Sequence, residues 1–102
     1  IISGGENISS VEVEDALYDH PDVERVAVIG VPHEKWGETP KAIVVPVGGA
    51  DLTEEGVIEF ARDNLAHFKC PTVVEFVDDL PETSTGKIRK VELRESHGDP
   101  VE

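Results

Sequence analysis

The chain has 102 residues, 38% hydrophobic and only 5% aromatic, with 22 acidic against 9 basic side chains and a formal net charge of −13. That length supports one domain with one modest core. The acidic balance argues against nucleic acid or anionic membrane as partners of its bulk surface, and no apolar run approaches the ~20 residues of a membrane span. The acids are scattered, so they read as a solvated surface and not as a tail. Two explanations stand for them: a high-salt cytoplasm, where concentrated ions screen self-repulsion, or a merely acidic mesophilic protein. The single cysteine, Cys70, excludes an internal disulfide and fits a reducing, cytoplasmic compartment. No signal peptide is visible. The chain opens on Ile1-Ile2-Ser3, already apolar and without methionine, as expected of a piece of something longer.

Taken in chain order, Ile1 to Ile8 predicts two short strands around a Gly4-Gly5 turn. Ser9 is placed as a helix N-cap, with Glu12 three residues on to complete a capping box and Ile8 and Val13 to close a hydrophobic staple. Val13, Ala16 and Leu17 then share one helical face, and Pro21 follows the helix end. Val23 to Val31 reads as a strand, its Val26-Ala27-Val28-Ile29 run too apolar to face water on both sides. His33 to Thr39 is predicted to be a polar loop. Ala42 to Val45 makes the next strand, antiparallel because the connection is short, with Pro46 marking either an edge or an end. Thr53 caps a second helix, with Glu54 and Glu55 at its positive dipole end and Val57, Ile58, Ala61 and Leu65 as its buried stripe. Pro71 closes the connection to a third core strand, Val73 to Val77, and Ile88 to Arg94 is predicted to form a short final helix. The fold class is α+β: a small mixed or antiparallel sheet of about three core strands flanked by helices, preceded by an N-terminal hairpin.

The stretch Pro81-Glu82-Thr83-Ser84-Thr85-Gly86-Lys87-Ile88-Arg89-Lys90 carries the chemistry. Lys87, Arg89, Lys90 and Arg94 concentrate the chain's scarce positive charge in one window. A phosphate-binding P-loop would need Gly six positions before the lysine and Ser or Thr just after it. Pro81 and Ile88 stand there, so this is not one. The small polar residues before Lys87 have little to bury and predict a mobile loop, able to bring an ammonium to a phosphate or carboxylate and withdraw it. Read from spacing alone, an exposed lysine near a helix start is the competing interpretation. Gly4 and Gly5 permit close approach of a ligand to backbone, though a tight hairpin turn is the stronger reading of that segment alone. Trp36, the sole tryptophan, sits in the polar loop and is either a binding-face ring or a side chain folded onto its own sheet. Phe68 and Lys69 follow the second helix. Cys70 is taken as a small buried residue. His20, His33, His67 and His97 stand apart without metal-ligand spacing, and no Ser-His-Asp arrangement is readable.

In order and spacing, Ile1-Ile2-Ser3-Gly4-Gly5-Glu6-Asn7-Ile8, Val28-Ile29-Gly30-Val31-Pro32, Trp36-Gly37-Glu38 and Leu80-Pro81 through Thr85-Gly86-Lys87-Ile88 resemble the C-terminal domain of the acyl-adenylate-forming enzymes. That superfamily includes AMP-forming acyl-CoA synthetases, luciferases and peptide-synthetase adenylation domains. The Ser-Gly-Gly-Glu-Asn form is most similar to fatty-acyl and aryl CoA ligases. The resemblance covers nearly the whole chain and implies a lid domain over residues 1–102, working with a large N-terminal domain that holds ATP, Mg²⁺ and the acid. It implies two half-reactions: a carboxylic acid and ATP give an acyl-adenylate and pyrophosphate, and coenzyme A then takes the acyl group. Lys87 is implied as the adenylation lysine. Gly4, Gly5 and Trp36 are implied to line the pantetheine tunnel, and Phe68 and Lys69 to meet the nucleotide of the coenzyme. Where some family members carry further basic residues after that aromatic, this chain has Cys70 and Thr72, which weakens the nucleotide contact. Two alternatives remain: an adenylation fragment serving a carrier protein's phosphopantetheine, and a non-catalytic interaction domain.

Overall fold

The computed structural model describes residues 1–100. In chain order it contains β1 (Ile2–Ser3), β2 (Glu6–Asn7), α1 (Ser10–Tyr18), β3 (Val23–His33), β4 (Gly37–Pro46), α2 (Glu54–Asn64), a 3₁₀ turn (His67–Lys69), β5 (Val73–Phe76) and α3 (Lys90–His97). Ser9 and Thr53 cap α1 and α2 as predicted, each side-chain oxygen accepting from the backbone N–H three residues on, at Glu12 and Gly56. Only half of the expected capping box forms. The Glu12 carboxylate turns away from Ser9 to the Lys69 ammonium, at 2.9 and 3.0 Å.

The sheet has five strands and is mixed. β3 and β4 pair antiparallel from Val23↔Pro46 to His33↔Gly37, so the predicted loop His33 to Thr39 is really the tip of a long hairpin. Its ends are too polar to show an apolar alternation, but backbone pairing carries the ladder past the core. β1 joins the start of β4 through Ser3↔Gly37, and β5 runs parallel to its second half from Lys41↔Val73 to Val44↔Phe76. The crossover through α2 is what parallel pairing requires. β4 is thus the central strand, and Pro46 marks its end and not an edge.

Each sheet face has its own core. Val26, Val28, Ala42, Val44 and Val74 pack with α1 and α2 through Val13, Leu17, Val57 and Ala61. Ala27, Ile29, Val31, Ile43 and Val45 pack with Leu80 and Leu93. The register slips between Val23 and Arg25, a β-bulge. The slip lets Val23 join the first core alongside Val26 and Val28, three and five residues on. Alternation from Val26 then sets Arg25 on the face of Ala27 and Ile29.

The outer edge of β3 is occupied by side chains at Val26 and Val28. Tyr18 Oη donates to the Val26 carbonyl at 3.3 Å and accepts from its N–H at 3.2 Å, while Glu14 accepts from the Val28 N–H at 2.8 Å. The same Glu14 carboxylate receives the Lys90 ammonium at 2.8 Å, joining α1 to α3. α3 begins two residues later than predicted and runs to His97, because Ile88 is held in an extended bridge with Glu82. It docks through Leu93, 2% exposed, a burial worth about 1.5–3 kcal/mol. At its far end Lys41, nearly buried on β4, donates to Glu75 and to the His97 carbonyl, both at 2.8 Å, and His97 Nδ1 lies 2.7 Å from Glu75. Among the described residues no helix is long and apolar enough to cross a membrane.

Candidate functional site

Two places collect the residues that the sequence singles out. The first is the segment bearing Lys87. It forms a small hydrogen-bonded hairpin. Glu82 and Ile88 form an antiparallel bridge. Inside it, Thr83 N–H donates to the Lys87 carbonyl at 2.7 Å, Gly86 N–H to the Thr83 carbonyl at 3.0 Å, and Lys87 N–H to Thr83 Oγ1 at 3.2 Å. Outside it, Arg89 N–H donates to the Pro81 carbonyl at 2.8 Å. Gly86 has φ +85°, which a side chain would strain. The threonine hydroxyls therefore close the turn; sequence reasoning missed this by treating them as merely small.

Ile88 packs against the second core. Because successive residues of an extended segment point to opposite sides, Lys87 is turned outward. It is exposed and makes no ion pair among the described residues. The neighbouring cations are engaged: Arg89 with Glu92 at 3.6 Å and Lys90 with Glu14. The result is an ammonium without an ion pair among the described residues, on the return arm of a hydrogen-bonded turn.

The second place is a groove of about 270 Å³ lined by Ser3, Gly4, Glu6, Trp36, Thr39, His67, Phe68, Cys70 and Thr72. It forms because β1 pairs with the first residue of β4. Gly4 N–H donates to the Trp36 carbonyl at 3.0 Å, and Ile2 N–H to Glu38 Oε1 at 3.0 Å. Gly4 and Gly5 take φ +58° and +84°, as a two-residue hairpin loop with right-handed strand twist demands. At Gly4 the Trp36 ring stands 3.7 Å from where a Cβ would lie, so the indole packs over bare backbone. His33 stacks on that ring, centroids 4.4 Å apart at 13°. Across the groove the 3₁₀ turn presents Phe68, 45% exposed against 39% for Trp36. Between them Thr39 and Thr72 hydroxyls bond at 2.7 Å.

The structure thus brings Gly4, Trp36 and Phe68 together. It does not bring Gly5 to the groove, and it engages Lys69 with Glu12, leaving that ammonium 5.7 Å from the Phe68 ring but already paired. No residue from 82 to 88 lines the groove, so Lys87 and the groove are separate working surfaces. Cys70 lies between groove and core; burial pushes its thiol pKa up, and the Arg62 guanidinium opposes this only in part. Sequence reasoning did not find Thr39, Glu6 or His67, because a hairpin tip and a 3₁₀ turn meet only in three dimensions. The paired apolar walls fit an uncharged, flexible chain. The lining includes the acid Glu6 and neither lysine nor arginine.

A family model for the AMP-binding enzyme C-terminal domain matches residues 12–87, and the chain belongs to that family. It is 57% identical over 97 residues to a probable CoA ligase of Humulus lupulus, covering 93% of this chain and 17% of that protein. It is 51% identical over 98 residues to a feruloyl-CoA synthase of an Amycolatopsis species, covering 96% and 20%. A Mycobacterium tuberculosis fatty acyl CoA synthetase superposes with a TM-score of 0.90 at 44% identity, covering 96% of this chain and 19% of that one. The α+β fold expected from the sequence is therefore the fold of this family, and the chain spans about a fifth of the length of the proteins it matches.

Proposed function

We propose that residues 1–102 are the lid domain of an AMP-forming acid–thiol ligase. The domain works with a larger N-terminal domain that holds ATP, Mg²⁺ and the carboxylic acid, and this fragment is inactive alone. The names of its relatives support a fatty or aryl acid as substrate, and the lone cysteine supports a reducing, cytoplasmic setting.

The observation that carries this reading is Lys87: an exposed ammonium, unpaired among the described residues, on a hydrogen-bonded turn. Adenylation must bring a carboxylate against the α-phosphate of ATP, and the five-coordinate phosphorus gathers further negative charge. A placed cation lowers that barrier without having to reorganise. Once the acyl-adenylate exists, the lid rotates, Lys87 leaves, and the groove faces the reaction. Gly4 backbone, Trp36 and Phe68 then wall a pantetheine arm and aim its thiol at the activated carbonyl. Lys69, held by Glu12, and Gly5, outside the groove, have lesser parts.

In the full-length protein, Lys87→Ala should lower pyrophosphate release by roughly 10²–10³-fold, as loss of one transition-state donor does. It should leave conversion of a supplied acyl-adenylate to thioester near wild type. Equal loss in both steps would refute the role. Pyrophosphate release across a panel of carboxylic acids, with and without coenzyme A, identifies the acid and the acceptor.

The acid Glu6 in the lining and the engagement of Lys69 favour a second acceptor. The groove suits the pantetheine arm that coenzyme A shares with a carrier protein, and less the phosphates that only the free coenzyme carries. Acyl transfer to a phosphopantetheinylated carrier in preference to coenzyme A would establish that reading.

A further inference from the structure

The Lys87 hairpin has its own fastening, and it lies in a strand that the reaction does not otherwise use. Glu82 and Ile88 are bridge partners, so both side chains point to the same side. Ile88 enters the second core. Glu82 meets the guanidinium of Arg25 on β3, which also reaches Asp79 at 3.7 Å. Arg25 is 27% exposed and Glu82 34%, so the pair is partly shielded from solvent. Arg25 faces the hairpin because strand alternation sets it on the side of Ala27 and Ile29, while the bulge before it sends Val23 to the other face. Asp79 closes on its own neighbour, accepting from the Leu80 N–H at 2.9 Å, just where the chain turns toward the hairpin.

We propose that Arg25 is a positioning residue for Lys87. Its guanidinium holds the Glu82 carboxylate at the foot of the 82–88 hairpin and so fixes where the ammonium stands during adenylation. The inference rests on the reading of Lys87 given above. Arg25 touches neither substrate nor reacting atoms. Its effect is geometric: a displacement of ~1 Å at a reacting group can cost up to ~10²-fold in rate. The groove is fastened by other contacts, so thioester formation does not depend on it.

The test uses the full-length protein and the variants Arg25→Ala, Glu82→Gln, the charge exchange Arg25→Glu with Glu82→Arg, and Lys87→Ala as reference. Amide exchange at Thr83, Gly86 and Arg89, whose N–H groups close the hairpin, is measured beside the two half-reactions. In Arg25→Ala and in Glu82→Gln, exchange at these amides should accelerate and the kcat of pyrophosphate release should fall about tenfold. KM for ATP and thioester formation from supplied acyl-adenylate should hold, and the charge exchange should recover most of the loss. Unchanged exchange overturns the clamp, whatever the activity does. Faster exchange with undiminished pyrophosphate release, while Lys87→Ala abolishes it, overturns the link to Lys87. Parallel loss of both half-reactions with a lowered Tm, not recovered by the charge exchange, reduces Arg25 to a structural residue and overturns the proposal. If Lys87→Ala itself releases pyrophosphate normally, the reading of Lys87 fails and takes this one with it, while the exchange data still decide whether the clamp exists.

Discussion

At Cys70 one side chain serves two surfaces. Its sulfur packs in the first core, donates to the Ala66 carbonyl at 3.6 Å and borders the groove. The thiol is mostly out of water, and burial raises its pKa against the weaker pull of Arg62. Thiolate, the reactive form, is therefore scarce near neutral pH. Ellman's reagent should react with native protein far more slowly than with protein in denaturant, and occupancy of the groove should slow it further. Native reaction as fast as that of a small free thiol would contradict the burial. The same scale explains Lys69: a side chain 57 positions away in sequence, Glu12, decides whether its charge is available.

At the scale of elements, α3 is fastened at its N-terminus by Lys90 on Glu14, in its middle by Leu93, and at its end by Lys41, Glu75 and His97. Glu75 is held below the usual carboxylate range, first by the hydrogen bond from Lys41 and also by the charges of Lys41 and His97, against a burial effect that raises it. A carboxylate whose pKa is lower folded than unfolded binds fewer protons in the native state between those two values. Its stabilising share is complete above the unfolded value of about 4.3 and disappears as pH falls through the folded one. The Glu75 contribution to Tm should therefore be lost as pH is taken from about 5 toward 3, and Glu75→Gln should remove that part of the pH dependence while costing stability at neutral pH. An identical acid limb in the variant would show that Glu75 is not linked to folding.

The elements also show what a sequence can carry. The caps at Ser9 and Thr53 were readable because each bond spans three residues and depends on side-chain type alone. The apolar runs at Val26 and Ala42 marked strands for the same local reason. What was hidden depends on partners far along the chain. The bulge before Arg25 has no compositional mark. His33 and the stretch Gly37 to Thr39 are strand only because β3 and β4 pair there, leaving Trp36 in the turn between them. Ile88 resembles the first residue of a helix until Glu82 is placed opposite. Lys87 was legible through its motif, and its outward direction was not, because that follows from the burial of Ile88.

For the whole molecule, 22 acids against 9 bases leave −13, and several of the bases are bound in the ion pairs that fasten α3 and the hairpin. Long-range repulsion among the remaining carboxylates opposes the compact state. Raising sodium chloride from about 0.01 M to about 1 M shortens the screening length from about 30 Å to about 3 Å. Tm should rise over that range if repulsion outweighs the paired contacts, as the high-salt reading requires. A melt unchanged by salt removes that reading and leaves an acidic mesophilic protein. The Arg25–Glu82 and Lys41–Glu75 pairs, partly withdrawn from solvent, should survive the added ions better than exposed ones.

The outer strand of the sheet bears on self-association. A naked border strand invites strangers to zip onto it. Here Tyr18 and Glu14 occupy, at Val26 and Val28, hydrogen-bonding positions that an intruding chain would claim on β3. At those positions the rim is spoken for from within, so this border offers less of a template for stray polymerisation.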